Sequence, residues 1–140
     1  KEKIILLRIM SKNSLTNFCR FTIMIAILHF TLETLYTLRF GQTVAGYLPD
    51  LIAVSLLVVG ATLTLKDFNA IGILCGAWGF AFCLHYRSWA WRFDDVMDGS
   101  ATELIETTMY VLAFTMPISI ISFVITFLWC LPKNRSKLPS

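Results

Sequence analysis

A few ionisable side chains inside apolar stretches are the residues of this sequence that could do chemistry. His29 and Glu33 lie four positions apart in one such stretch, and Tyr36 follows three positions later. Residues three or four apart share one face of a helix, so these side chains form one polar stripe. An ionisable residue inside a membrane span is costly and is a functional hypothesis by default. The stripe is therefore the first candidate for a ligand, proton or catalytic site.

A later apolar stretch carries a second pair, His85 and Arg87. A turn of about 100° per residue places Arg87 near the face formed by Gly72 and Gly76, and turns His85 about 160° away from Arg87. Small residues let helices approach closely, so the glycine face is predicted to pack against the other helices. Arg87 is then expected to point into the bundle.

The depth and orientation of Glu33 and Arg87 predict an ion pair between them. At about 1.5 Å per residue, both side chains lie about 6–8 Å below the outer boundary of the membrane. An arginine satisfies several hydrogen bonds of a carboxylate at once, which matters where water is absent. His29 and Tyr36 are expected beside this pair, with His85 and Glu106 as further members of the site. A purely structural pair that holds two helices together remains the alternative.

The composition indicates that these residues belong to a polytopic membrane protein. The chain has 140 residues, of which 56% are hydrophobic and 15% charged, and its mean hydropathy is +0.69. A soluble domain has about 45–50% apolar and about 25% charged residues. These values exclude a disordered chain, a disulfide-rich miniprotein and a nucleic-acid binder with a basic face.

Motifs of the common catalytic and metal-binding classes are absent from the sequence. The phosphate-loop, dinucleotide, zinc-protease and hydrolase signatures do not occur. The four cysteines lie in or beside apolar runs without a CxxC spacing, so we expect free thiols rather than a disulfide or metal role. No metal site is predicted from these patterns.

Four windows are long and apolar enough to cross about 30 Å of hydrocarbon. They run over about residues 18–38, 49–65, 68–91 and 101–131. Pro49 suits the first turn of the second helix, Asp67 can cap the third, and Ser100 with Glu103 resembles a capping box for the fourth. We predict an all-α membrane four-helix bundle, with one domain over residues 16–131. A basic interfacial segment (residues 1–15) precedes it, and a basic tail (residues 132–140) follows.

The distribution of lysine and arginine predicts the orientation of the bundle. With the N-terminus inside, only Arg39, Arg87 and Arg92 of the 12 Lys and Arg residues fall on the outer side. This is a strong positive-inside bias. Both termini are therefore predicted to be cytoplasmic, in a multi-pass protein of a cell membrane or inner membrane.

Three functions remain open from the sequence. Small size, short loops and missing catalytic motifs favour an accessory or structural subunit of a membrane assembly. Glu33 and His29 inside the first span favour a small proton- or cation-coupled transporter. The outline of four short helices with a glutamate in the first resembles the small multidrug-resistance transporters, although the loops here are longer and no family motif surrounds Glu33.

The third possibility is a membrane enzyme or redox subunit acting on a lipophilic substrate such as a quinone, so enzymatic activity is left open. His29 and His85 are candidate haem ligands, but their depths differ by about 5 Å and their faces diverge, so no cofactor is predicted. The expected partners are the lipid bilayer and other membrane subunits or a second copy of the chain. No nucleic-acid partner is expected.

Overall fold

The computed structural model describes residues 12–131, and four long helices make up most of this range. They are α1 (Lys12–Phe40), α2 (Val44–Lys66), α3 (Ile71–Met97) and α4 (Glu103–Cys130). Each helix is long and apolar enough to cross a membrane. The predicted all-α, four-helix class is thus confirmed. The location of the termini stays a prediction, and residues 1–11 and 132–140 lie outside the described residues.

The start of α2 differs from the sequence prediction. The helix begins at Val44, and the Thr43 side chain caps it by accepting a hydrogen bond from the Gly46 N–H at 3.2 Å. Pro49 lies inside the helix instead of at its first position. As a consequence, Asp50 lies more than one turn inside α2, away from the free N–H groups at the helix start.

The other helix ends follow local hydrogen bonding. Asp67 caps the 3-10 turn Phe68–Ala70 by accepting from the Asn69 N–H at 2.9 Å, so α2 and α3 form a tight hairpin. At α4 the cap is Thr102, whose hydroxyl accepts from the Ile105 N–H at 3.4 Å. Ser100 donates to the Asp95 carbonyl instead, so the predicted capping box is not formed.

Backbone contact between α2 and α3 lies at the centre of the hairpin. Gly60 is buried against α3, and a Cβ atom placed there would lie 2.9 Å from the Leu74 Cα. Leu57, Ala61 and Leu74 are buried around this contact. The absence of a side chain at position 60 therefore sets the close distance between the two helices.

Long aromatic side chains connect α1 to α3 and α4 at the opposite end from the α1–α2 loop. Trp78 of α3 is 1% exposed, and its indole N–H donates to the Thr22 hydroxyl of α1 at 3.3 Å. Phe18 meets Trp129 of α4 edge to face, with ring centroids 5.2 Å apart. Tryptophan combines a large apolar area with one donor that must be satisfied, and both requirements are met here.

The packing of α3 corrects the expected orientation of this helix. Gly72 and Gly76 are exposed, and a Cβ added at either would meet nothing within 4 Å. The buried face instead carries Trp78 and Ala81. Burying an indole removes more apolar area from the surface than burying a glycine stripe does. The face that contains His85 therefore turns inward.

We expect the Trp78→Phe substitution to lower the free energy of unfolding by about 1–2 kcal/mol, because it removes the hydrogen bond to Thr22 and leaves a small void. The measurement is denaturant unfolding in detergent micelles. Trp91→Phe is the matched control, because Trp91 is 71% exposed. Equal losses in the two variants would contradict the packing described above.

Candidate functional site

A polar contact between α1 and α2 lies inside the apolar bundle. His29 Nε2 and Asp50 Oδ1 are 3.1 Å apart, and the two side chains are 11% and 21% exposed. This is the only pairing of a basic and an acidic side chain within 4 Å among residues 12–131. Asp50 takes part because Thr43 starts α2 early enough to bring position 50 opposite His29.

Glu33 extends this contact into a cluster of three side chains. It lies one turn after His29 on the same face of α1, and the ligand atoms of His29, Glu33 and Asp50 all lie within 4.8 Å of one another. The Glu33 carboxylate is half-buried and accepts no hydrogen bond from the described part of the chain. Two carboxylates at this separation repel each other in an apolar environment unless a cation or a proton compensates them.

α3 and α4 contribute a second polar contact beside the cluster. His85 Nδ1 and the Ser119 hydroxyl are 2.9 Å apart. The rings of His29 and His85 stack with their centroids 5.3 Å apart and an angle of 26° between their planes. All four helices thus meet at this polar level of the bundle.

The stretch of α1 and α2 between the cluster and the loop is held by further hydrogen bonds. The hydroxyls of Thr34 and Tyr47 are 2.6 Å apart, and Thr37 donates to the Gln42 side chain at 2.9 Å. The first contact joins the two helices on the loop side of Glu33, and the second ties α1 to the loop. Both contacts constrain the position of His29 and Glu33 relative to Asp50 from the loop side.

The cluster contains side chains of types that could hold a metal ion. One imidazole and two carboxylates are ligand types used for divalent transition metals. No metal site is predicted from the sequence, because no metal-binding motif occurs and Asp50 is assigned there to the first turn of a helix. The structure starts α2 at the Thr43 cap, which puts Asp50 inside the helix and next to His29.

The structure does not form the expected Glu33–Arg87 ion pair. Arg87 is exposed and has no carboxylate within ion-pair distance among residues 12–131. The physical reason is the orientation of α3, since Arg87 lies on the same outward face as Gly72 and Gly76. His85 takes the inward position that had been expected for Arg87.

Tyr36 and Glu106 are not among the three clustered side chains. Tyr36 lines an open cleft of about 250 Å³ near the loop end of the bundle, together with Trp91, Arg92, Asp95, Leu104, Ile105 and Thr108. Glu106 is exposed. Of the residues predicted for the site, the structure therefore brings together His29, Glu33 and His85, and it adds Asp50 and Ser119. A ligand role for any of them stays a prediction.

Comparison of the chain with protein-family models, with curated proteins and with solved structures finds no match.

Proposed function

We propose that this chain is a small multi-pass membrane protein that binds a cation at the His29–Glu33–Asp50 cluster and acts as a cation-coupled carrier. The observation that carries the proposal is the convergence of three metal-capable side chains within 4.8 Å inside a bundle of four apolar helices. We retain the orientation with both termini cytoplasmic, because the lysine and arginine bias favours it.

The charge balance of the cluster supports a bound cation. Two carboxylates lie opposite a single imidazole, and no lysine or arginine within residues 12–131 forms an ion pair with them. Carboxylates inside a membrane span are expensive unless they are paired, protonated or bound to a cation. An exchangeable cation, or a proton in its absence, offsets this cost.

The depth of the cluster also fits a carrier. At about 1.5 Å per residue, His29 lies about 16 Å and Glu33 about 10 Å from the α1 end at Phe40. Asp50 lies about 9 Å from the α2 start at Val44 by the same measure. All three side chains thus lie well inside helices that are long and apolar enough to cross about 30 Å of hydrocarbon.

The test is cation uptake by proteoliposomes that contain the full chain and a metal-sensitive fluorophore, with Zn²⁺ added outside. We expect Glu33→Gln to lower the initial uptake rate at least tenfold, because it removes one of two anionic ligands. Glu106→Gln is the matched control, since Glu106 is exposed and outside the cluster. Its uptake should equal that of the wild type.

Wild-type uptake no faster than that of empty liposomes would overturn the carrier proposal, and uptake that Glu33→Gln leaves unchanged would overturn the cluster as its cation site. A second candidate, the accessory subunit predicted from the sequence, is favoured by the outward-facing glycines at positions 72 and 76, which leave room for another helix. Absence of uptake by the wild type, combined with its purification in a larger membrane assembly, would favour that role.

A further inference from the structure

The hydrogen bonds of Ser119 determine which nitrogen of His85 carries the proton. The Ser119 hydroxyl contacts the Thr115 carbonyl oxygen at 3.1 Å and His85 Nδ1 at 2.9 Å. A carbonyl only accepts and a serine hydroxyl has one hydrogen, so Ser119 donates to Thr115. The hydroxyl oxygen is then the acceptor for His85, and the neutral His85 ring is the Nδ1–H tautomer. Its Nε2 atom carries a free lone pair.

This tautomer is the one that binds a metal through Nε2. In metal sites, a ligating histidine donates its other ring N–H to a second residue, which fixes both the tautomer and the ring orientation. Ser119 already performs this role for His85.

The position of His85 places it next to the cluster. Its ring stacks on that of His29 at a centroid separation of 5.3 Å, and His29 is itself 3.1 Å from Asp50. A tetrahedral ion with bonds of about 2.0–2.2 Å holds its ligand atoms about 3.4 Å apart. A bound ion would therefore draw the ligand atoms of His29, Glu33 and Asp50 inward from their 4.8 Å separation. His85 is not one of these three, and it would join them by a movement of the ring that stacks on His29.

We infer that the cation is a divalent transition metal of the Zn²⁺ class and that His85 is its fourth protein ligand, with Ser119 as a positioning residue. The inference rests on the proposed function and deepens it. Two imidazoles and two carboxylates suit a four-coordinate Zn²⁺ site. Mg²⁺ and Ca²⁺ prefer six or more oxygen ligands, which this set does not offer.

The experiment measures Zn²⁺ binding to the full chain in detergent micelles by competition with a chromophoric chelator, together with X-ray absorption at the zinc edge. We expect two imidazole ligands in the wild type and one in His85→Ala, and Zn²⁺ affinity about 10–100-fold lower in that variant. Ser119→Ala should lower the affinity about tenfold while keeping two imidazoles, since outer partners carry effects of about 10–100-fold. Ser122→Ala is the control, because Ser122 is buried on the same helix but does not contact His85.

The outcomes separate this inference from the proposed function. A wild-type spectrum with one imidazole, or a Ser119→Ala affinity equal to that of Ser122→Ala, would overturn the role of His85 and leave the cation carrier intact. Mg²⁺ competing with Zn²⁺ at equal concentration would overturn the assignment of the metal. A wild-type chain that binds no Zn²⁺ in micelles would overturn both, whereas Zn²⁺ binding without uptake would overturn only the carrier role. If His85→Ala fails to fold, the wild-type spectrum and the Ser119 variant still decide the question.

Discussion

Replacement of His29 by leucine is expected to lower the free energy of unfolding by about 3 kcal/mol when no metal is present. The substitution removes the partner of Asp50 and leaves the Asp50 and Glu33 carboxylates facing each other, with ligand atoms that lay within 4.8 Å in the wild type. Breaking a buried pair by removing one partner costs about 3–5 kcal/mol, because the other charge stays buried without compensation. The measurement is denaturant unfolding in micelles with excess chelator, so that a bound ion does not add to the stability.

Two further variants test the cause of this loss. Combining His29→Leu with Asp50→Leu should restore much of the stability, because the uncompensated carboxylate is then absent as well. Arg87→Ala is the control and should change the stability by less than about 0.5 kcal/mol, as expected for an exposed side chain. A large loss in Arg87→Ala would revive the ion pair expected from the sequence and contradict the observed orientation of α3.

The Gly60→Leu substitution is expected to destabilise the protein by about 3 kcal/mol or more. A Cβ atom at position 60 would lie 2.9 Å from Leu74 Cα and 3.0 Å from Leu74 N. Overpacking costs about 1–3 kcal/mol when side chains can shift, and here the obstacle is backbone. The α2 and α3 helices must separate, which also displaces Asp50 relative to His85.

Gly72→Leu provides the matched control for this prediction. It lies on α3 but faces outward, with nothing within 4 Å of an added Cβ atom. Its stability should equal or slightly exceed that of the wild type, because leucine is a better helix former than glycine. Similar behaviour of the two variants in micelle unfolding would show that α2 and α3 are not in backbone contact at Gly60.

The four helices were predictable from the sequence because hydrophobic length alone identifies them. A stretch of about 20 apolar residues is sufficient for a membrane span and does not depend on tertiary contacts. The helix ends were less predictable, since several residues compete to cap each helix. Pro49 and Thr43 both suit the start of α2, and the choice between them decides whether Asp50 lies at the helix end or inside it.

The site was only partly predictable, because helix rotation cannot be read from an almost uniformly apolar helix. Periodicity correctly separates His85 from Arg87, which lie on different faces of α3. It does not say which face is buried, since glycine and tryptophan faces both favour helix packing. The choice of the glycine face led to the pairing of Glu33 with Arg87, whereas the structure places His85 on the inside.

The short connection over Asp67 and the 3-10 turn Phe68–Ala70, together with the backbone contact at Gly60, joins α2 and α3 into a closely packed hairpin. Of the proposed cation ligands, Asp50 and His85 belong to this hairpin, while His29 and Glu33 belong to α1. The proposed coordination sphere is therefore divided between α1 and the hairpin, and only the packing of one against the other completes it. Any separation of α1 from the hairpin would leave two ligands on each side.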